Sequence, residues 1–168
     1  MEAAQNLGIC YPAQIAASAA TSAGWQVRLL NTTVAPDSTD IEKTEGDRKI
    51  KLFAENLMPT VVHMANFYHL PLAQTLNLVY LDCTRSLGEC AATLLGVLRS
   101  LSGKNEAWVP LAASHSMLMN ALRMLAPELL RLDLRHAPLL YIGDYANFAA
   151  VRELGHDGQM PVFCQATY

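Results

Sequence analysis

The sequence predicts an α/β domain on one open, mostly parallel sheet of the flavodoxin-like or Rossmann-like kind, flanked by helices. Three observations predict it. Short runs with strand character recur at 7–10, 25–29, 76–81, 108–112, 138–142 and 161–165. Helix-like stretches separate the later runs, and strands alternating with helices imply crossover connections within a parallel sheet. The runs 76–81 and 138–142 are nearly continuous in apolar residues, as strands buried on both faces are.

Each element has a local reason. After the first short run, Pro12 suits the opening turn of a helix, where a missing N–H costs nothing. The alanine-rich stretch Ala13–Ser22 follows, with Gly24 as its natural stop. Trp25-Gln26-Val27-Arg28-Leu29 alternates apolar and polar, as a half-buried strand does. Residues 32–46 are polar and acidic and predict a long exposed loop. From Arg48 to Tyr68, apolar residues recur at helical spacing through Ile50, Phe53, Leu57, Val61, Met64 and Ala65. Pro59 is expected to kink or split that helix.

The remainder repeats strand and helix. Ser86-Leu87-Gly88-Glu89 has the form of a capping box opening a helix that stops at Gly103. Pro110 interrupts the strand 108–112, and Pro127 bends the helix 116–130. Asp144 can cap a last helix ending before Gly155, ahead of the strand 161–165.

Composition narrows the class. The chain has 168 residues, which suits a single domain spanning 1–168. Hydrophobic residues make up 52% and charged residues 16%, the reverse of a disordered chain. A net charge of −3 argues against nucleic acid as partner, because phosphate binding needs clustered cations. No apolar stretch is long enough to predict a membrane span. The acidic, polar start Met1–Asn6 lacks the basic region of a signal peptide, so the expected location is cytoplasmic. Cys10, Cys83, Cys90 and Cys164 form no C-x-x-C and no metal spacing, and read as reduced thiols.

Ligands of open parallel sheets bind beyond the carboxyl ends of the strands. That rule selects Asp82, Cys83, Thr84 and Arg85 after 76–81, Ser114, His115 and Ser116 after 108–112, and Gly143, Asp144 and Tyr145 after 138–142. As binding residues, Asp82, Arg85 and Asp144 stand out. As catalytic candidates, Cys83, Ser114 and His115 carry the chemistry. Capping alone accounts for Thr84, Ser114 or Asp144, at about 0.5–2 kcal/mol each. Arg85 lies at the positive end of a helix dipole and needs an acid or anion to answer it. His63 and His69 lie six apart, the wrong interval for one metal face, and no metal site or cofactor is expected. No G-x-S-x-G, Walker loop or G-x-G-x-x-G occurs.

The run Leu78-Val79-Tyr80-Leu81-Asp82, a helix, and then Val109-Pro110-Leu111-Ala112-Ala113-Ser114 resembles the centre of a response-regulator receiver domain. There an aspartate ends the third strand and a small hydroxyl residue ends the fourth. Tyr11-Pro12 stands where that family has an acidic pair, and Gly143-Asp144 where it has a lysine. The resemblance therefore implies a degenerate, non-phosphorylated version. Separately, Ala112-Ala113-Ser114-His115, its helix and Leu139–Asp144 resemble half of a thiolase-type fold, with alanine or serine in place of the nucleophilic cysteine.

The expected function is a non-enzymatic regulatory or protein-interaction module, with a protein partner or a second copy of the chain covering part of its surface. The alternative is a hydrolase or transferase acting on a small or acyl-bearing substrate at the strand-end edge. An exposed apolar patch favours the first; a deep, polar-rimmed pocket favours the second.

Overall fold

A computed structural model describes residues 9–10, 20–22, 25–31, 45–70, 75–82 and 84–166. The architecture is the expected α/β class: an open, largely parallel sheet with helices on both faces. The strands are β1 (Ile9–Cys10), β2 (Ala20–Ser22), β3 (Trp25–Asn31), β4 (Thr75–Leu81), β5 (Glu106–Ala112), β6 (Leu139–Gly143) and β7 (Val162–Ala166). The helices are α1 (Glu45–Phe67), α2 (Leu87–Leu101), α3 (His115–Leu129) and α4 (Phe148–Asp157), with a 3-10 turn at Tyr145–Asn147.

Spatial order runs β1-β3-β4-β5-β6-β7, every neighbour parallel; β2 pairs antiparallel with β3. The described strands thus follow chain order, without the reversal that generates a switch point in doubly wound sheets. Side chains alternate between two cores. Leu76, Leu78, Val109, Leu111, Leu140 and Ile142 pack with α1 on one face. Val79, Leu81, Trp108, Leu139 and Tyr141 pack with α2, α3 and α4 on the other. Because strand order advances one way throughout, the β3-α1-β4 crossover has the opposite hand to the three that follow. Such a mixture is rare, since about 98% of these crossovers are right-handed.

Local expectations hold where short-range chemistry decides. Ser86 Oγ accepts a hydrogen bond from Glu89 N at 3.2 Å and opens α2. Gly103, with φ of 76°, stands just past the C-cap Ser102 in the left-handed region that glycine tolerates. Four expectations need correction. Ala20–Ser22, the tail of the expected alanine-rich helix, is a strand laid against β3; the rest of that stretch and Gly24 lie outside the described residues. The expected loop 32–46 ends early, because Glu45 already begins α1; 32–44 lie outside the described residues. Pro59 does not split α1, which is one helix of 23 residues with the proline on its exposed side. Gly155 does not end α4. It is buried within the helix, where a Cβ would stand 2.8 Å from the Met160 carbonyl oxygen and overlap the Val162 side chain. The stop falls at Gly158.

Polar contacts fix the sheet. Arg28 Nε donates to Asn77 Oδ1 at 2.9 Å and its Nη2 to Glu106 Oε2 at 2.6 Å, while Asn77 Nδ2 donates to the Ala107 carbonyl at 3.0 Å. This ladder crosses β3, β4 and β5. A one-residue slip of β4 would turn Asn77 to the opposite face, among the side chains packed on α1. At the far edge, Tyr68 stacks on Phe163 with ring centroids 4.4 Å apart and donates its hydroxyl to the Cys164 carbonyl at 3.2 Å. Pro161 O bonds inward to Leu139 N, so strand alternation turns the Cys164 carbonyl outward. Tyr68 therefore covers an edge group that would otherwise invite another strand.

Candidate functional site

The described ones among the selected residues lie at or just beyond the carboxyl ends of β4, β5 and β6, and most are occupied with their own turns. Asp82 follows β4. Its Oδ1 accepts from Thr84 N at 3.0 Å and from Thr84 Oγ1 at 2.6 Å, and its Oδ2 lies 3.4 Å from Arg85 Nε. Partial burial pushes the Asp82 carboxyl up, but the Thr84 hydroxyl and amide and the Arg85 guanidinium outweigh it. The carboxyl is held below the ordinary carboxylate range. The charge on Arg85 is thus answered by Asp82 three residues before it. Cys83 lies outside the described residues. Cys90 and Cys164 are buried free thiols, and burial pushes the Cys164 thiol up.

Ser114 caps α3, its Oγ accepting from Met117 N at 3.2 Å and lying 3.5 Å from Ser116 Oγ. Asp144 caps the 3-10 turn through Ala146 N at 2.9 Å. The structure does not join Asp144 to Arg85: the side-chain contacts shown for Asp82 stay within the β4–α2 turn, with Thr84 and Arg85.

His115 is different. As the first residue of α3 it leans toward β6, where its Nδ1 lies 3.4 Å from Tyr141 Oη. Tyr141 is fully buried, and Asn147 Nδ2 donates to its oxygen at 3.0 Å. Burial pushes the Tyr141 phenol up, against the Asn147 hydrogen bond, so it stays protonated at neutral pH. The close approach is possible because residue 143 is glycine. A Cβ there would meet Tyr141 Oη at 2.6 Å and His115 Cε1 at 2.8 Å.

Beside this cluster a notch of about 100 Å³ opens between α1 and the carboxyl ends of β5 and β6, lined by Phe53, Leu57, Pro110, Leu111, Ala112, His115 and Ile142. Pro110 explains why it is there. Trp108 N donates to the carbonyl of Pro138, just before β6, so by strand alternation the N–H two residues on would point the same way. Proline has none. Residues 106–112 of β5 pair continuously with β4, whereas its registered pairing with β6 is Trp108 with Leu139 alone.

Sequence reasoning selected His115 but missed Tyr141, Asn147 and the apolar walls of the notch. Pro110 in an apolar strand and Gly143 at a strand end were the available signals. Among the described residues no group of His, Cys, Asp and Glu could hold a metal ion, and no helix is long and apolar enough to cross a membrane. No protein-family model matches the chain, and no curated protein or solved structure matches it significantly.

Proposed function

We propose that this chain is a non-enzymatic α/β module that binds another protein through the outer face of α1. One observation carries the reading: beyond the charged first two turns of α1, which hold Arg48, Lys49 and Lys51, that face is exposed and nearly free of charge. Between Leu52 and Leu70 the only formally charged side chain is Glu55. Leu52 is 57% exposed and Phe67 64%, and Asn56, Pro59 and His63 share the exposed side. The outer residues of α4, by contrast, include Arg152, Glu153, His156 and Asp157. Solvent-facing sides of helices are ordinarily charged and polar. The engagement of Asp82 with Thr84 and Arg85 supports a regulatory, receiver-like module that is not phosphorylated. The notch itself is well below the roughly 300–1,000 Å³ of ordinary small-molecule pockets, so the alternative, an enzyme of the hydrolase or transferase type, draws no support from it.

The test is an Asn56→Lys/His63→Glu double variant, both sites exposed. Tagged wild-type protein and variant are compared for co-purifying proteins from the native source and for self-association by sedimentation. The expected result is loss of the partner with an unchanged thermal midpoint. If the homodimer is what disappears, the partner is a second copy. Identical capture and identical sedimentation by both proteins would refute the reading.

A further inference from the structure

We propose that the notch between the carboxyl ends of β5 and β6 is a second, independent binding site, for a small aliphatic compound bearing a carbonyl oxygen. The aliphatic end occupies the notch and the carbonyl accepts a hydrogen bond from His115 Nε2.

The size of the space sets the apolar part. An apolar cavity of about 150 Å³ holds a benzene, so about 100 Å³ suits a branched group of roughly four carbons. Its lining contains six apolar residues and one polar side chain, His115. Among the described residues no lysine, arginine, aspartate or glutamate lines it, so none of them selects a charged ligand.

The hydrogen-bond chain sets the polar part. The Tyr141 oxygen accepts from Asn147 Nδ2 at 3.0 Å. Its own proton needs an acceptor, and among the described residues His115 Nδ1 lies 3.4 Å away. In the proposed arrangement the Tyr141 hydroxyl donates to Nδ1, a ring nitrogen that accepts carries no proton, and the ring donates through Nε2. His115 is thereby a fixed single donor at the wall of an apolar space. A donor so placed selects an acceptor, and an uncharged carbonyl oxygen meets it without bringing an ion into apolar surroundings. Gly143 is part of the construction, because a side chain there would drive His115 and Tyr141 apart. The site uses the inner side of α1, through Leu57 and the half-turned Phe53, so it stands or falls separately from the outer face.

Isobutyramide is the probe, read by long-range ¹H–¹⁵N correlation of the histidine rings and by saturation transfer to the probe methyl groups. In the free protein His115 should be the Nε2–H tautomer. Isobutyramide should move the Nε2 resonance saturably, and isobutyrate should bind more weakly. Leu57→Trp, which fills the notch, should weaken binding by at least about tenfold, the loss that a single misfitted methylene can cause. Should that variant not fold, saturation transfer in wild-type protein, with and without His115→Ala, decides the matter. The proposal is overturned by an Nδ1–H tautomer, by no saturable shift, by equal binding to the filled variant, or by preference for the carboxylate. Stronger binding of N-acetyl-leucine methylamide than of isobutyramide would also overturn it, because the notch would then belong to a peptide.

Discussion

Replacing Gly143 by alanine tests the central geometry of the strand-end cluster. The new Cβ would stand 2.6 Å from Tyr141 Oη, 2.8 Å from Tyr141 Cζ and 2.8 Å from His115 Cε1. Ordinary contact begins near 3.4 Å, so the phenol must retreat by about 0.8 Å. It has little room, because Tyr141 is fully buried and the Phe148 ring meets it edge-on with centroids 6.0 Å apart. His115 is only half-buried and can swing outward. Overpacking of this kind costs about 1–3 kcal/mol, and losing the Tyr141–His115 hydrogen bond adds about 0.5–1.5 kcal/mol. Urea denaturation should therefore show Gly143→Ala destabilised by about 2–4 kcal/mol with an unchanged m-value. His115→Ala introduced alongside should recover part of the loss, since it removes one of the two clashes. A cost below about 0.5 kcal/mol, or no coupling between positions 143 and 115 in the double-mutant cycle, would show that the three side chains are not packed as described.

Two further outcomes rest on single residues. Gly96 is exposed inside α2 with nothing within 4 Å of an added Cβ, so Gly96→Ala should raise stability by about 0.5–1 kcal/mol; a loss on urea denaturation would contradict the helix. The depressed carboxyl of Asp82 stabilises the fold above its unfolded pKa of about 3.9, and that stability is lost as pH falls through the lower folded value. Asp82→Asn should therefore cost about 0.5–1 kcal/mol at neutral pH, the deficit shrinking below about pH 4; an equal deficit at pH 3 and pH 7 would refute the ion pair.

What could be read from the sequence was whatever local chemistry decides. The capping serine of α2, the glycine after its end, and the apolar runs of β4 and β6 each declare themselves within a few residues. Ala20–Ser22 could not be read that way. Alanine favours a helix, and the open edge of β3, a tertiary fact, made those residues a strand. Gly155 looked like a stop because glycine often is one; its reason is the Met160 carbonyl and the Val162 side chain at the entry to β7 pressing on α4, which the sequence does not declare. The candidate site divides in the same way. Its edge was legible, since residues after apolar strands must gather at one end of a parallel sheet. Which of them would meet was not. Asp82 and Arg85 are neighbours in sequence and pair with each other, whereas His115, Tyr141 and Asn147 meet only because β5 and β6 lie side by side. The Arg28–Asn77–Glu106 ladder escaped notice for that reason too, its members being separated by 49 and 29 residues.

Pro110 connects the fold to the site. Proline is confined almost entirely to edge strands because a central strand needs its N–H, yet β5 lies between β4 and β6. The missing ladder bond forgoes about 0.5–1.5 kcal/mol. An aliphatic β-branched residue would supply the bond and favour the strand, and a zipped β5–β6 pair would close the gap. On packing alone Pro110 is the wrong residue. Beyond it the strand still delivers Leu111 and Ala112 to the notch wall and His115 to the first turn of α3. The breach and the oriented imidazole thus share one origin, a strand that leaves its neighbour just before its carboxyl end. A local choice that conflicts with the surrounding fold is expected where a site is built. Here that conflict lies beside His115, the lone polar side chain among the described residues that line the notch.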